Sequence, residues 1–270
     1  MREFVYRAKQ YVPGPIWKAV TSPYWWWYNR ARHRFASVFD RRLNRSQEQV
    51  QRFKDLHQGE RCFILGNGPS LNQTDLTPLR DEYTFGMNRI YLLFPGMGFQ
   101  TSYFVSVNTL VLEQCAADIR TLQMPKFITW RGRQWFNDEV IFLDTDYTAP
   151  ESFSSDVSGR IFEGSTVTYV AMQIAYYMGF EEVILVGVDH SFNTQGEPNA
   201  TIVSSGEDPN HFSAEYFGKG FRWQLPDLQA SEKAYRLAKE AFERDGRTIR
   251  DATIGGKLEI FPKVNYDDLF

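Results

Sequence analysis

From Arg61 onward short apolar runs alternate with amphipathic stretches, and this alternation restricts the fold more than any other feature of the chain. Residues 62–65, 83–87, 103–107, 126–130, 140–143 and 182–187 are too short for helices, and most are apolar throughout, as in strands buried on both faces. Residues 109–122 and 166–178 carry helical spacing between them. In the second, Val167, Val170, Ala171, Ile174 and Met178 keep one apolar face, with Ser165 or Thr166 to cap the start and Gly179 the end. Residues 227–244 read as a further helix capped by Asp227, with Glu232–Arg236 and Glu240–Arg244 at i,i+4. The expected fold is α/β, Rossmann-like, with a mainly parallel sheet and helices on both faces. Residues 190–226 are polar and Gly-rich, and a loop of that length inside a compact domain reads as a lid.

In open α/β sheets ligands bind beyond the carboxyl ends of the strands. Those ends carry Asn67, Asn88, Asn108 and Asp189. Asparagine both donates and accepts, which suits ribose hydroxyls, phosphate oxygens and a pyrimidine edge. The first strand runs into Gly66-Asn67-Gly68-Pro69-Ser70-Leu71. Gly66 and Gly68 are expected to adopt φ > 0 and let the backbone approach a ligand, their N–H groups cradling an anion together with Ser70. The turn is neither the dinucleotide fingerprint, since Leu71 occupies the third glycine position, nor a Walker loop, since no Gly-Lys-Ser/Thr follows. A plain strand-to-helix turn is the alternative reading.

Three further groups stand out. Gly164-Ser165-Thr166 opens a helix whose free N–H groups can receive an anion, or simply caps it. In Gly187-Val188-Asp189-His190, Asp189 could hold a metal ion, a ribose hydroxyl or a lid residue, or form an Asx turn. In the lid, His211 is a candidate general base, and Lys219 and Arg222 are candidates to hold a leaving phosphate.

The first 57 residues differ in kind. Tyr24-Trp25-Trp26-Trp27-Tyr28 follows Phe4, Tyr6, Tyr11 and Trp17, and Pro13, Pro15 and Pro23 divide the stretch. Residues 1–45 hold ten Lys/Arg against two acidic residues, a charge of +8 in a chain of −3, so the remainder carries −11. We read residues 1–57 as a membrane-associating segment ahead of a nucleotide-binding catalytic domain, 58–270, with residues 46–57 as a polar helix capped by Ser46. Trp and Tyr sit at headgroup level, and each Lys or Arg near an anionic surface adds about 1 kcal/mol. There is no apolar h-region of a signal peptide and no apolar stretch of about 18 residues. The expected location is cytoplasmic, peripheral on the inner face of the membrane. No nucleic-acid reader motif is present. Cys62 and Cys115 lie in apolar settings and read as buried free thiols of a reducing compartment.

The apolar strand, GNGPSL, the asparagine after the next strand, the helix GSTVTYVAMQIAYYMGF and the strand EEVILVGVDHSF occur in that order. Over residues 61 to about 245 this resembles the bacterial sialyltransferases of glycosyltransferase family 42. It is also similar to the 6-hydroxymethylpterin diphosphokinases and the motility-associated flagellin glycosyltransferases. The resemblance implies a GT-A-type variant without a DxD metal motif, and an inverting transfer from a CMP-activated nonulosonic acid to a glycan or lipid-linked acceptor. No cofactor is then required. Mg²⁺ held by Asp189 belongs to the alternative, an ATP-dependent diphosphokinase. A non-catalytic nucleotide-binding protein is the third reading, and an oligomer is compatible with all three. The resemblance further implies that Asn67 and Ser70 meet donor phosphate or ribose, and that Asn88 and Asn108 meet nucleotide and sugar. Thr166 and its helix start receive the donor carboxylate or cytidine, Gly187 lines the cytidine pocket, and His211 deprotonates the acceptor. Where the sialyltransferases carry a tyrosine that helps phosphate leave, this chain has His190-Ser191-Phe192. Tyr216, Lys219 or Arg222 would have to substitute.

Overall fold

The computed structural model describes residues 40–147, 152–194 and 196–270. In chain order it contains α1 (Arg41–Gln51), β1 (Arg61–Leu65), β2 (Tyr83–Met87), the short α2 (Phe94–Met97), β3 (Tyr103–Ser106), α3 (Thr109–Thr121), β4 (Lys126–Thr129), β5 (Ile141–Asp146) and β6 (Arg160–Phe162). It continues with α4 (Val167–Met178), β7 (Glu182–Val186), β8 (Thr201–Val203), β9 (Arg222–Gln224), α5 (Leu228–Arg244) and β10 (Thr248–Asp251). Eight strands form one sheet in the order β10-β7-β1-β2-β3-β4-β5-β6, and each neighbouring pair is parallel. The expected α/β, Rossmann-like architecture is thus the observed one.

The apolar strands are explained by burial on both faces. In β1, Cys62 and Ile64 face a core shared with Val170 and Ile174 of α4 and Phe242 of α5. Phe63 and Leu65 face the other core, with Val111, Cys115 and Ile119 of α3. Both cysteines are buried and free. Thr166 caps α4 through its side chain, and Gly179 ends the helix in the left-handed region at φ 92. Asp227 caps α5.

The first helix begins earlier than its sequence suggests. Asp40, not Ser46, is the cap: its carboxylate accepts Arg42 N–H and Trp130 Nε1–H, each at 2.9 Å. Ser46 is buried inside α1, whose Leu43 and Val50 pack inward and which lies against β5. Residues 40–57 therefore share the core, and the α/β unit reaches back at least to Asp40. The aromatic stretch expected to associate with a membrane lies, through residue 39, outside the described residues. Four strands are added to those read from the apolar runs. β6, Arg160-Ile161-Phe162, and the more polar β10 are short strands of three and four residues at the two sheet edges. β8 and β9 form an antiparallel ribbon inside the lid. Strand β5 is also shifted, from 140–143 to Ile141–Asp146, because its second half is the polar Asp144-Thr145-Asp146 paired with β6.

Candidate functional site

The strand order fixes where a ligand can sit. From β1 the chain runs outward through β6, then returns to place β7 on the other side of β1. The β1/β7 boundary is therefore the point at which the winding reverses, where a crevice opens beyond the strand ends. A cavity of about 680 Å³ lies there. Gly66, Asn67, Gly68, Asn88, Asn108, Ser165, Thr166, Gly187 and Asp189 all line it, as does His211 from the lid.

The GNGPSL turn is built differently from the expectation. Gly66 N–H donates to Val186 O at 2.7 Å and Gly68 N–H to Gly187 O at 2.9 Å. Ser70 N–H reaches Asp189 Oδ1 at 3.1 Å and its Oγ–H reaches Oδ2 at 2.7 Å. These N–H groups close the turn onto the end of β7 and are not free to cradle an anion. Gly68 has φ −73, and neither it nor Gly66 is left-handed. They are glycines because a Cβ would overlap the Gly187 carbonyl at one and the Asp189 carboxylate at the other. Gly187 does sit at φ 73, and a Cβ there would meet Leu71. Ser70 is buried and does not line the cavity. Asp189 has both oxygens engaged by Ser70, so it is a clamp between the two turns rather than an open ligand for a metal or ribose.

The asparagines present a consistent face. Asn108 Oδ1 caps α3 by accepting Leu110 and Val111 N–H, and Asn88 Oδ1 accepts Ser106 Oγ–H at 2.9 Å. Each thereby turns its carbonyl inward and keeps its Nδ2 donors without a partner among the described residues. Asn67 is the complement: its Oδ1 is buried with no hydrogen-bond partner. A buried acceptor left open beside two open amide donors is a site that asks for a polar ligand. Asn88 also holds φ 53, an uncommon left-handed value for a residue with a side chain.

At the opposite wall Gly164 and Ser165 are both left-handed, φ 53 and 59, before Thr166 caps α4. Thr166 Oγ1 lies 3.3 Å from both Thr168 N–H, which it accepts, and Tyr235 OH. Beneath them is a pair that strand-end reading missed. Arg131 Nη2 bonds the Glu163 carboxylate and also Val107 O at 3.2 Å, and its Nε reaches Thr129 Oγ1 at 3.3 Å. Thr145 donates its hydroxyl to Glu163 at 2.5 Å. Burial pushes the Glu163 carboxyl up, and it outweighs the opposing charge and hydrogen bond of Arg131 and the bond from Thr145. Nothing in their spacing links residues 131, 145 and 163; only the sheet order brings them together.

The lid is strapped to this crevice. Phe212 N–H donates to Asn67 O, Asn72 Nδ2 to Phe212 O, and Arg89 bonds the Tyr216 carbonyl. His211 is held within it, its Nδ1 at 2.7 Å from Asp208 Oδ2 and its ring stacked on Tyr216 at 4.0 Å. Burial raises the Asp208 pKa, but the His211 hydrogen bond and charge, with the N–H groups of Asn210 and Phe217, outweigh it and leave a net lowering. His211 Nε2 has no partner among the described residues. A second imidazole, His190, lines the same cavity with its Nε2 at 3.2 Å from Glu232 Oε1. Lys219 and Arg222 do not line it. Lys219 is exposed, and Arg222 points from β9 to Glu113 of α3 at 3.0 Å, because alternate residues of the ribbon face outward. Trp223, the residue after Arg222, faces in. Asp208, Asn199, Asn210 and Gln224 were also missed, although the Asp-x-x-His spacing of residues 208–211 is a local signal that could have found the first.

Among curated protein sequences none matches the chain. A solved structure, the MAf glycosyltransferase from Magnetospirillum magneticum AMB-1, is similar in fold, with a TM-score of 0.51, 16% identity, and 84% of this chain covered. The chain spans about two fifths of that protein, 39% of its length. The family model described as 6-hydroxymethylpterin diphosphokinase MptE-like matches residues 40–195, which run from the cap of α1 to the start of the lid. With the GNGPSL turn, α4 and the β7 clamp all inside that match, the chain belongs to the 6-hydroxymethylpterin diphosphokinase MptE-like family.

Proposed function

We propose that this chain is an inverting glycosyltransferase that takes a nonulosonic-type sugar from a CMP donor and adds it to a glycan or lipid-linked acceptor at the membrane surface. The observation that carries this reading is His211, fixed by Asp208 over a crevice whose open polar groups are amides and hydroxyls. His211 Nε2 takes the acceptor proton, the acceptor oxygen attacks the anomeric carbon, and CMP leaves on the opposite side. Asn67, Asn88 and Asn108 hold nucleotide and sugar. The similarity in fold to a glycosyltransferase supports this reading.

The description of the family favours a second reading, transfer of diphosphate from ATP. The cavity supports it less well. Its carboxylates among the described residues are Asp189 and Glu163. Asp189 is bonded by Ser70, and Glu163 by Arg131 and Thr145, which leaves neither open for a magnesium triphosphate. Calorimetry decides between the two. Binding of CMP without metal supports the transferase; binding of ATP only with Mg²⁺ overturns it in favour of the kinase.

A further inference from the structure

A site that expels a nucleoside monophosphate needs a positive group where the phosphate lies. The cations expected to supply it, Lys219 and Arg222, do not line the cavity. Tyr216, the other candidate, is buried with its hydroxyl accepting the Arg89 N–H. The basic side chains that do line it among the described residues are Arg131, His190 and His211. Arg131 is tied to Glu163, Val107 and Thr129. His211 belongs to the lid and takes the acceptor proton.

His190 remains, and its setting is not that of an ordinary structural histidine. It lies four residues beyond the end of β7, at the point where the winding reverses. Its backbone is left-handed, φ 52, a strained value of the kind that clusters at functional sites. The conformation is enforced from both sides: Val188 N–H donates to Thr253 Oγ1 and Lys257 N–H to Asp189 O. Nε2 meets Glu232 Oε1, and Nδ1 has no partner among the described residues. By contrast His57, deep in the core, has both nitrogens engaged, by Glu60 and Tyr103. The groups that face His190 are Glu232 and Tyr235 of α5, with Arg236 paired to Glu232, while the adjacent Asp189 is turned to Ser70. The hydrogen bond from His190 is the main cause that holds the Glu232 carboxyl below its usual value.

We propose that His190, oriented by Glu232, binds the donor phosphate and protonates it as it leaves. The inference rests on the transferase reading and adds the acid to its base. The acceptor oxygen forms its bond to the anomeric carbon as its proton passes to His211 Nε2. The bond from that carbon to the phosphate oxygen breaks, its electron pair stays on the oxygen, and the proton on His190 Nδ1 moves there. Exchange with solvent restores both imidazoles.

The test compares CMP with cytidine by calorimetry on the full chain, in buffers of different ionisation heat so that proton uptake is read directly. Wild type takes up a proton with CMP at mildly alkaline pH and none with cytidine. His190→Ala weakens CMP about tenfold, abolishes that uptake, and leaves cytidine unchanged. Glu232→Gln, a change at a partly exposed helix position, binds CMP more weakly than wild type but more tightly than His190→Ala, since the imidazole stays and loses only the carboxylate that orients it. Unaltered CMP affinity and proton uptake in His190→Ala overturn the role of His190 and leave the transferase standing. Absence of both CMP and cytidine binding in wild type overturns the two together.

Discussion

Asp208 Oδ2 lies 2.7 Å from His211 Nδ1 and accepts the Phe217 N–H at 3.1 Å, so one buried carboxylate sets both the tautomer of the imidazole and the path of the lid around it. In the proposed transfer His211 presents Nε2 to take the acceptor proton. Replacing it with alanine should lower transfer by about 10²- to 10⁴-fold, the usual contribution of a positioned base. CMP affinity should stay near wild type, because the base meets the acceptor. Parallel measurement of turnover and CMP binding checks this. Full turnover in His211→Ala would remove the base.

The same carboxylate makes the lid acid-labile. The folded-state pKa of Asp208 is depressed, so its stabilising contribution is complete above the usual aspartate value and is lost as pH falls through the lower folded value. Hydrogen exchange of the Asn210 and Phe217 amides, which Asp208 accepts, should therefore stay slow through mildly acidic pH and rise steeply only below the usual aspartate range. Asp208→Asn should show faster exchange at all pH values and no such step.

Arg131 and Glu163 form a pair that is only partly covered on the arginine side, with side chains 22% and 12% exposed. Removing the cation alone leaves a carboxylate stranded under the helix start. Arg131→Met should cost about 3–5 kcal/mol, and Glu163→Gln clearly less, since it strands no buried anion. Burial already holds Glu163 above the usual range, and loss of Arg131 raises it further. A raised carboxyl favours the fold at low pH and loses that contribution as pH rises, so Arg131→Met should recover stability on acidification. Denaturant midpoints at two pH values test the sign.

Much of this was legible in the sequence because burial on both faces leaves a direct trace. Strands β1, β2, β3 and β7 are mostly apolar and buried along all but their first residue or all of their length, and Thr166 and Gly179 bracket α4 by local rules alone. What failed to show was set by pairing at a distance. Asp40 displaces Ser46 as a cap because Trp130 meets it from across the fold. β10 is polar because it lies at an edge, so no apolar run announces it. The turn GNGPSL reaches the cavity through Gly66, Asn67 and Gly68, but its glycines answer to the end of β7 and Asp189 rather than to φ. The pairing of His190 with Glu232 spans 42 residues and has no local signature.

The glycine argument has a direct consequence. At Gly66 a methyl group would run into the backbone carbonyl of Gly187, which cannot move without breaking the β1–β7 pairing. Gly66→Ala should destabilise by about 3 kcal/mol or more. Gly96, in α2, meets nothing within 4 Å and has no positive φ, so Gly96→Ala serves as the near-neutral control. Thermal melts of the two variants compare them. Equal melting temperatures would show that β1 and β7 do not approach as described.

Membrane association is tested most cleanly by a cut that spares α1. Of the ten basic residues in 1–45, Arg42 donates to Arg133 O and Arg45 pairs with Asp138, so these two hold the fold. Residues 1–39 carry seven Lys/Arg against Glu3 alone, together with the Trp25-Trp26-Trp27 run. Removing 1–39 spares Asp40, the cap of α1, and every described residue that lines the crevice. Among the described residues no helix is long and apolar enough to cross a membrane. The full chain should co-sediment with vesicles containing anionic lipid, more weakly at high salt, as screening of basic side chains requires. The shortened chain should stay in the supernatant with an unchanged melting temperature and unchanged CMP affinity. Co-sedimentation that survives the deletion would move the membrane contact onto the α/β unit itself.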